Sequence, residues 1–244
     1  MKDKYAVVLD HISKDYIIHH EKPTLVERIL KGKNEKFRAL KNVNLKIKKG
    51  DVLGIVGPNG SGKSTLLKII SGITSPTRGR VTTCGNIRSL IDLEAGFHPD
   101  LTGLQNIYVN GLLLGLSKPH IDSMLKNIIS FADIGNFMDA PLFTYSEGMK
   151  LRLGFSIMAF SNPDILLLDE SFLVGDETFQ KRAADKIMEF KNDGVAIIIV
   201  SHWLDFIKAN CQRVVIMNKG SIKAVGGLSL IDKYKRSFES KGDQ

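Results

Sequence analysis

The chain has 244 residues, 43% hydrophobic and 25% charged, with a formal net charge of +8. That is enough for one large domain with a sizeable core. No uninterrupted apolar stretch approaches a membrane span and no signal-peptide core follows Met1-Lys2-Asp3-Lys4-Tyr5, so the chain is expected to stay in the cytoplasm; isolated Cys84 and Cys211 exclude a disulfide framework or zinc site.

Residues 5–18 read as a strand ending in the polar-aromatic segment Ser13-Lys14-Asp15-Tyr16. In residues 19–37, Leu25, Val26, Ile29 and Leu30 fall on one face of an amphipathic helix at about 23–31, with Thr24 and Glu27 as a capping box and Gly32 as a stop. Ala39–Ile47 reads as a half-exposed strand, alternating strictly from Leu45. Lys49-Gly50 turns the chain into Val52–Val56, an apolar run short enough for a buried strand, and Thr65–Ile70 opens a helix. From about Thr102 to Ala132 the pattern is helical, with a break where Ser117 and Pro119 suit a new helix start. A further helix runs from Tyr145 to about Phe160. Ile165–Leu168 and Val195–Val200 are continuous apolar strands separated by a helix over 178–193. Such strands flanked by helices predict a parallel sheet covered on both faces, interrupted by a helical block.

Three basic clusters account for much of the charge: Lys31, Lys33, Lys36 and Arg38; Lys46, Lys48 and Lys49; and Lys233, Lys235 and Arg236. None is interleaved with aromatics as in a single-strand binder. Each reads as a solvated face, with an anionic membrane leaflet as a further partner.

Between the strand at Val52–Val56 and the following helix lies Gly57-Pro58-Asn59-Gly60-Ser61-Gly62-Lys63-Ser64, a complete G-x-x-x-x-G-K-S phosphate loop. Glycines let backbone N–H groups surround a polyphosphate, and the helix N-terminus adds its positive end. Lys63 suits the β- and γ-phosphates, and the Ser64 hydroxyl suits Mg²⁺. The Ile165–Leu168 strand ends abruptly in Asp169-Glu170. Two carboxylates there call for a cation or a function: Asp169 to hold Mg²⁺ through water, Glu170 to activate the attacking water. His202, just past the Val195–Val200 strand, falls on the ligand edge of the sheet, in reach of a γ-phosphate. Ser146 is a good N-cap and Gly148 allows close backbone approach, so the helix after Tyr145 offers a second phosphate-binding terminus. One nucleotide cannot easily use both termini of one chain, which predicts a head-to-tail homodimer in which each copy caps the other's ATP.

In order and spacing these pieces resemble the nucleotide-binding domain of ABC transporters, over essentially all of residues 1–244. The resemblance implies a P-loop NTPase core with a parallel sheet, an antiparallel β-subdomain and an inserted helical subdomain at about 95–160. It implies that ATP and Mg²⁺ are the cofactors. Gly57–Ser64 with Thr65 resembles Walker A, Asp169-Glu170 Walker B, Ser146-Glu147-Gly148-Met149 the signature, and His202 the switch histidine. It also implies that Tyr16 stacks on adenine, that Asp176 belongs to the D-loop, and that Lys63, Glu170 and His202 are catalytic. Departures from the usual pattern are Tyr145, Glu147 and Met149 in the signature, Leu173-Val174-Gly175-Asp176 in the D-loop, and Leu93-Glu94-Ala95-Gly96-Phe97 where a glutamine is expected. Glu94 is the side chain there that resembles the missing metal or water contact.

These departures resemble the ATPases of polysaccharide exporters, which move lipid-linked O-antigen, capsule or teichoic acid. The branch implies a transmembrane permease partner, contact with lipid-linked glycan through that permease, a place on the cytoplasmic face of the membrane, and no nucleic acid. The helix at about 23–31 is expected to couple to the membrane partner. Little of the sequence follows Lys235-Arg236, so no appended carbohydrate-binding domain is expected. The alternative is a soluble ABC ATPase acting on nucleic acid or ribosomes, but those usually carry tandem nucleotide domains or a long coiled-coil insertion. A third reading, a binding module using ATP only as a dimerisation switch, has no need of the water-activating Glu170.

Overall fold

A computed structural model describes residues 4–18, 35–90, 96–169 and 176–239. The expected helix at 23–31, Glu94, Glu170 and Leu173–Gly175 lie outside the described residues.

Two sheets organise the chain. Strands β1 (Tyr5–Ile18) and β2 (Glu35–Lys48) pair antiparallel, and β1 also pairs antiparallel with β4 (Arg78–Thr83), giving the order β2-β1-β4. In β2, Val43, Leu45 and Ile47 are buried and the residues between them exposed, the period of a one-sided strand.

The second sheet has six strands in the order β5-β6-β7-β3-β8-β9. They are β3 (Val52–Val56), β5 (Ile87–Ser89), β6 (Ile165–Leu168), β7 (Ala196–Val200), β8 (Arg213–Asn218) and β9 (Ser221–Gly226). All neighbours are parallel except the edge hairpin β8–β9, where the sheet departs from the all-parallel expectation. Lys219 and Gly220 make that hairpin's turn with φ of 46° and 77°, the left-handed pair that a tight two-residue hairpin needs.

Every residue of β3, β6 and β7 is buried. Their side chains divide by the pleat. Leu53, Ile55, Leu167, Ile198 and Val200 pack with α1 (Lys63–Ile70) and the antiparallel sheet. Val52, Val56, Leu168, Ile197 and Ile199 pack on the other side with Phe155, Phe179 and Ile207. Sandwiching on both faces is why these strands show unbroken apolar runs rather than alternation.

The middle block is helical: α2 (Gly103–Leu113), α3 (Lys118–Ala132), two 3-10 turns (Gly135–Asp139 and Leu142–Thr144) and α4 (Glu147–Ala159). Thr102 and Gln105 close a capping box on α2. These elements share a separate core of Ile107, Ile121, Ile128, Leu142, Leu153 and Ile157. Helix α4 belongs to two cores, giving Leu153 and Ile157 to this one and Phe155, Met158 and Ala159 to the sheet's. Helices α5 (Glu177–Asn192), α6 (Leu204–Asn210) and α7 (Ser229–Glu239) complete the described chain. No helix among the described residues is long and apolar enough to cross a membrane.

Of the two cysteines, Cys84 is half-buried and Cys211 buried under α6 against β3. Burial pushes the Cys211 thiol up to about 12, so at pH 8 almost none of it is thiolate. An aromatic disulfide reagent at pH 8 is therefore expected to titrate Cys84 alone in the folded protein, and Cys211 only after denaturant is added. Equal rates for both thiols in the native state would contradict this packing.

Candidate nucleotide site

The parallel strands end at one edge of the sheet, and the polar groups begin there. A cavity of about 300 Å³ lies at that edge, lined by Phe37, Ala39, Asn59–Thr65, Asp169 and Val200. The loop that forms it leaves β3 and enters α1 through Gly62, whose φ of 101° makes a left-handed helix N-cap. A Cβ at Gly62 would come within 2.7 Å of the Ala39 carbonyl, so both backbone sign and space require glycine.

Lys63 is buried, and its ammonium donates to the carbonyls of Gly57 (2.8 Å) and Pro58 (3.2 Å). It is thus folded back across the loop. The Ser61 hydroxyl is buried with no hydrogen-bond partner among the described residues. A buried hydroxyl without a partner costs about 1–3 kcal/mol, and an anion in the loop would satisfy it. The first amides of α1 likewise have no acceptors within the helix. These are the features of a phosphate cradle, and the residues present fit a nucleotide.

The loop is braced from behind by the β8–β9 turn. Gly220 donates its N–H to the Ser61 carbonyl (3.0 Å) and accepts from Lys41 N–H (2.7 Å). A Cβ on Gly220 would lie 2.6 Å from the Ala39 carbonyl. The contact of this turn with the phosphate loop is long-range along the chain.

Asp169 follows β6 directly and lines the same cavity as Ser64. Among the described residues no group of three or more His, Cys, Asp or Glu side chains could hold a metal. One carboxylate and one hydroxyl fit Mg²⁺, which keeps several waters and takes its remaining oxygens from substrate phosphates.

Phe37, not Tyr16, lines the cavity. The two are direct cross-strand partners on β1 and β2. Tyr16 instead has the Lys14 ammonium 5.0 Å from its ring centre, and that ammonium is anchored on Thr74 Oγ1 and the Ser75 carbonyl. His202 is exposed, two residues beyond Val200. Its neighbour Ser201 is buried and accepts the Trp203 N–H at 3.0 Å.

Ser146 and Gly148 are not among the cavity residues. Ser146 caps α4 by accepting the Met149 N–H (3.3 Å), and among the described residues, beyond its own chain neighbours and helix backbone, a Cβ at Gly148 would meet the Ser146 hydroxyl alone, at 3.9 Å. The terminus is open. Behind it Tyr145 is buried, donating to the Phe137 carbonyl and meeting the Phe137 ring edge-on. Burial raises its phenol pKa, so it remains a neutral donor at working pH.

Asp176 is also absent from the cavity. One carboxylate oxygen accepts the Phe179 N–H (2.8 Å) as the N-cap of α5, and the other pairs with Arg152 (3.1 Å). That cap hydrogen bond, then the nearby Arg152 and Arg182 charges, hold its pKa below the usual carboxylate value.

A family model for ABC transporters matches residues 40–173, which include the loop, the α4 terminus and Asp169. The chain belongs to the ABC transporter family. It is 42% identical over 241 residues to the teichoic acids export ATP-binding protein TagH of Levilactobacillus brevis, covering 98% of this chain and 66% of that protein. With the TagH of Bacillus anthracis it is 40% identical, covering 98% of this chain and 44% of that one. The chain therefore spans less than two thirds of these relatives. The O-antigen export system ATP-binding protein RfbB of Klebsiella pneumoniae is 37% identical, with 96% of this chain and 98% of that protein covered. The fold is that of ATP-binding cassettes: a dimeric cassette bound to ADP and phosphate superposes with a TM-score of 0.74 at 23% identity, covering 91% of this chain and 98% of that one.

Base–aromatic stacking is worth about 1–3 kcal/mol by alanine substitution. Phe37→Ala is therefore expected to weaken ATP binding by about 5- to 100-fold. Tyr16→Ala should cost much less. Titration with a fluorescent ATP analogue checks the ranking, and a larger loss at Tyr16 would return the base to that side chain.

Proposed function

We propose that this chain is the ATP-hydrolysing motor of an ABC transporter that exports a lipid-linked polysaccharide such as teichoic acid or O-antigen. The observation that carries the ATPase reading is the cavity in which the phosphate loop, the orphaned Ser61 hydroxyl and Asp169 meet. The glycan is supported by relatives at 37–42% identity whose names state teichoic acid or O-antigen export.

In this reading the loop amides, Lys63 and the Ser61 hydroxyl bind the phosphates. Lys63 exchanges its two carbonyl acceptors for phosphate oxygens, so the site trades internal hydrogen bonds for stronger charge-assisted ones. Ser64 and Asp169 would hold Mg²⁺, which supplies Lewis-acid neutralisation of the phosphate charge. Glu170 orients and deprotonates the attacking water, and His202 donates to the terminal phosphate. The open α4 terminus, with Ser146 and Gly148, caps a nucleotide held by a second copy, making a head-to-tail homodimer. A transmembrane permease couples this closure to movement of the lipid-linked glycan, with the chain on the cytoplasmic face of the membrane. The helix at about 23–31 contacts that partner.

Glu170→Gln is expected to bind ATP and accumulate as a nucleotide-bound dimer, with turnover reduced by about 100-fold or more. Lys63→Ala should weaken ATP binding itself by about 10- to 100-fold, the loss of a charged hydrogen bond of about 1.5–3 kcal/mol. Size-exclusion with light scattering, beside steady-state phosphate release, separates the two. Wild-type turnover in Glu170→Gln would refute the hydrolytic assignment.

A further inference from the structure

The α4 terminus and the start of α5 belong to different parts of the chain, yet one side chain joins them. Arg152 lies on α4, nearly two turns past the Ser146 cap. Its Nε donates to the Ala132 carbonyl (2.9 Å), at the C-terminal end of α3. One terminal nitrogen donates to the Asp133 carbonyl and pairs with the Asp133 carboxylate (3.2 Å). The other pairs with Asp176 Oδ2 at 3.1 Å. The guanidinium lies 5.4 Å from the centre of the Phe179 ring on α5.

All three guanidinium nitrogens are thus engaged, tying α4 to the end of α3 and the start of α5. The side chain is only 15% exposed, so these contacts are less screened than surface pairs. Asp133 is itself fixed: it ends α3 in the left-handed conformation and pairs with Arg182 of α5 at 3.0 Å. The fork geometry matters, because a lysine ammonium on a flexible stem cannot reproduce three divergent donors on a planar frame.

Asp176 caps α5 and so ties down its first turn. Through Arg152 that tie is also a tie to α4. We propose that Arg152 is a positioning residue that holds the Ser146–Gly148 terminus of α4 in fixed register with the C-terminal end of α3 and the Asp176 cap of α5. The inference rests on the reading that the α4 terminus caps a nucleotide in a second copy. Given that reading, the α3–α4–α5 junction sets how Ser146 and Gly148 are presented to the partner copy's nucleotide, and losing the Arg152 tie lets that terminus move out of place. Arg152 touches neither nucleotide nor metal. It acts through Asp176 and Asp133.

The test uses the purified full chain and three variants: Arg152→Lys, Arg152→Ala and Asp176→Asn. Asparagine is as good an N-cap as aspartate, so Asp176→Asn removes the ion pair and leaves α5 capped. Circular dichroism establishes which variants are folded at the assay temperature; if Arg152→Ala is not, Arg152→Lys and Asp176→Asn carry the test.

A fall in kcat of about tenfold or more, with ATP affinity at the chain's own phosphate loop changed less than about twofold, is the expected signature. Adding Asp176→Asn to an Arg152 variant should cost nothing further, since the pair acts as a unit. A merely structural role would lower the melting temperature and leave kcat below it unchanged. Folded variants with wild-type kcat, or independent additive losses at the two positions, would overturn the inference while leaving the ATPase reading intact. A wild-type chain that binds ATP but never hydrolyses it would overturn the ATPase reading, and this inference with it.

Discussion

Strands β3, β6 and β7 are buried on both faces, so no charged side chain can be accommodated until the chain leaves the sheet. That constraint sorts the sequence. Within the strands only Val, Leu, Ile, Ala and one Gly occur. At their carboxyl ends the phosphate loop, Asp169 and the Ser201-His202 pair appear in adjacent positions because the strands are parallel neighbours in register. The edge concentrates polar groups simply because nowhere else along these strands tolerates them, and ligands in such sheets bind outside the carboxyl ends. The phosphate loop is then held between this edge and the antiparallel sheet, with Gly62 against Ala39 and Gly220 wedged behind Ser61.

What the sequence made legible follows from the same constraint. Continuous apolar runs at Val52–Val56, Ile165–Leu168 and Val195–Val200 could only be doubly covered strands, and the loop between the first of them and its helix carries its own spacing. The helix break at Ser117 and Pro119 was equally local, being a matter of one N-cap and one fixed φ. Phe37 was not legible. Its place in the cavity depends on pairing with Tyr16 across a hairpin, and no local pattern says which of two cross-strand aromatics lies nearer the loop. The brace from Gly220 was hidden for the same reason, since a turn glycine announces its φ and not the carbonyl it meets. The antiparallel β9 edge was also outside the reach of periodicity, because its strand is only partly buried.

Helix α4 shows how one element serves two mechanical roles. Past its first turn it is packed on both sides, with Leu153 and Ile157 in the helical core and Phe155 and Met158 in the sheet's core. A helix buried all round has no single apolar stripe, and the Tyr145–Phe160 segment gives none. Its first turn is the opposite, open to solvent around Gly148. A terminus that is free in front and immobilised behind can present its backbone donors at a fixed place without ordering cost on binding. Tyr145 contributes to the immobilisation: its ring fills the space beside Gly103, where any Cβ would meet the hydroxyl.

Asp176 shows how a carboxylate at the head of a helix is held within one chain. A carboxylate facing a polyphosphate is electrostatically unfavourable unless a cation lies between them. Here the cations lie on the other side. Arg152 and Arg182 face Asp176 and Asp133 across the α3–α4–α5 junction, and the α5 amides supply the remaining hydrogen bond. With its pKa lowered by that cap and those arginines, the group stays ionised wherever the protein works, so its charge is committed to the junction. The aromatic cluster beneath, Phe131, Phe155, Phe160 and Phe179, with centroid separations of 5.7–5.8 Å, gives the arginines a ring surface to lie on and shields part of the network from water. Charge and packing therefore act together at this junction: the rings lower the local dielectric, which strengthens the ion pairs, and the ion pairs fix the helices that position the rings.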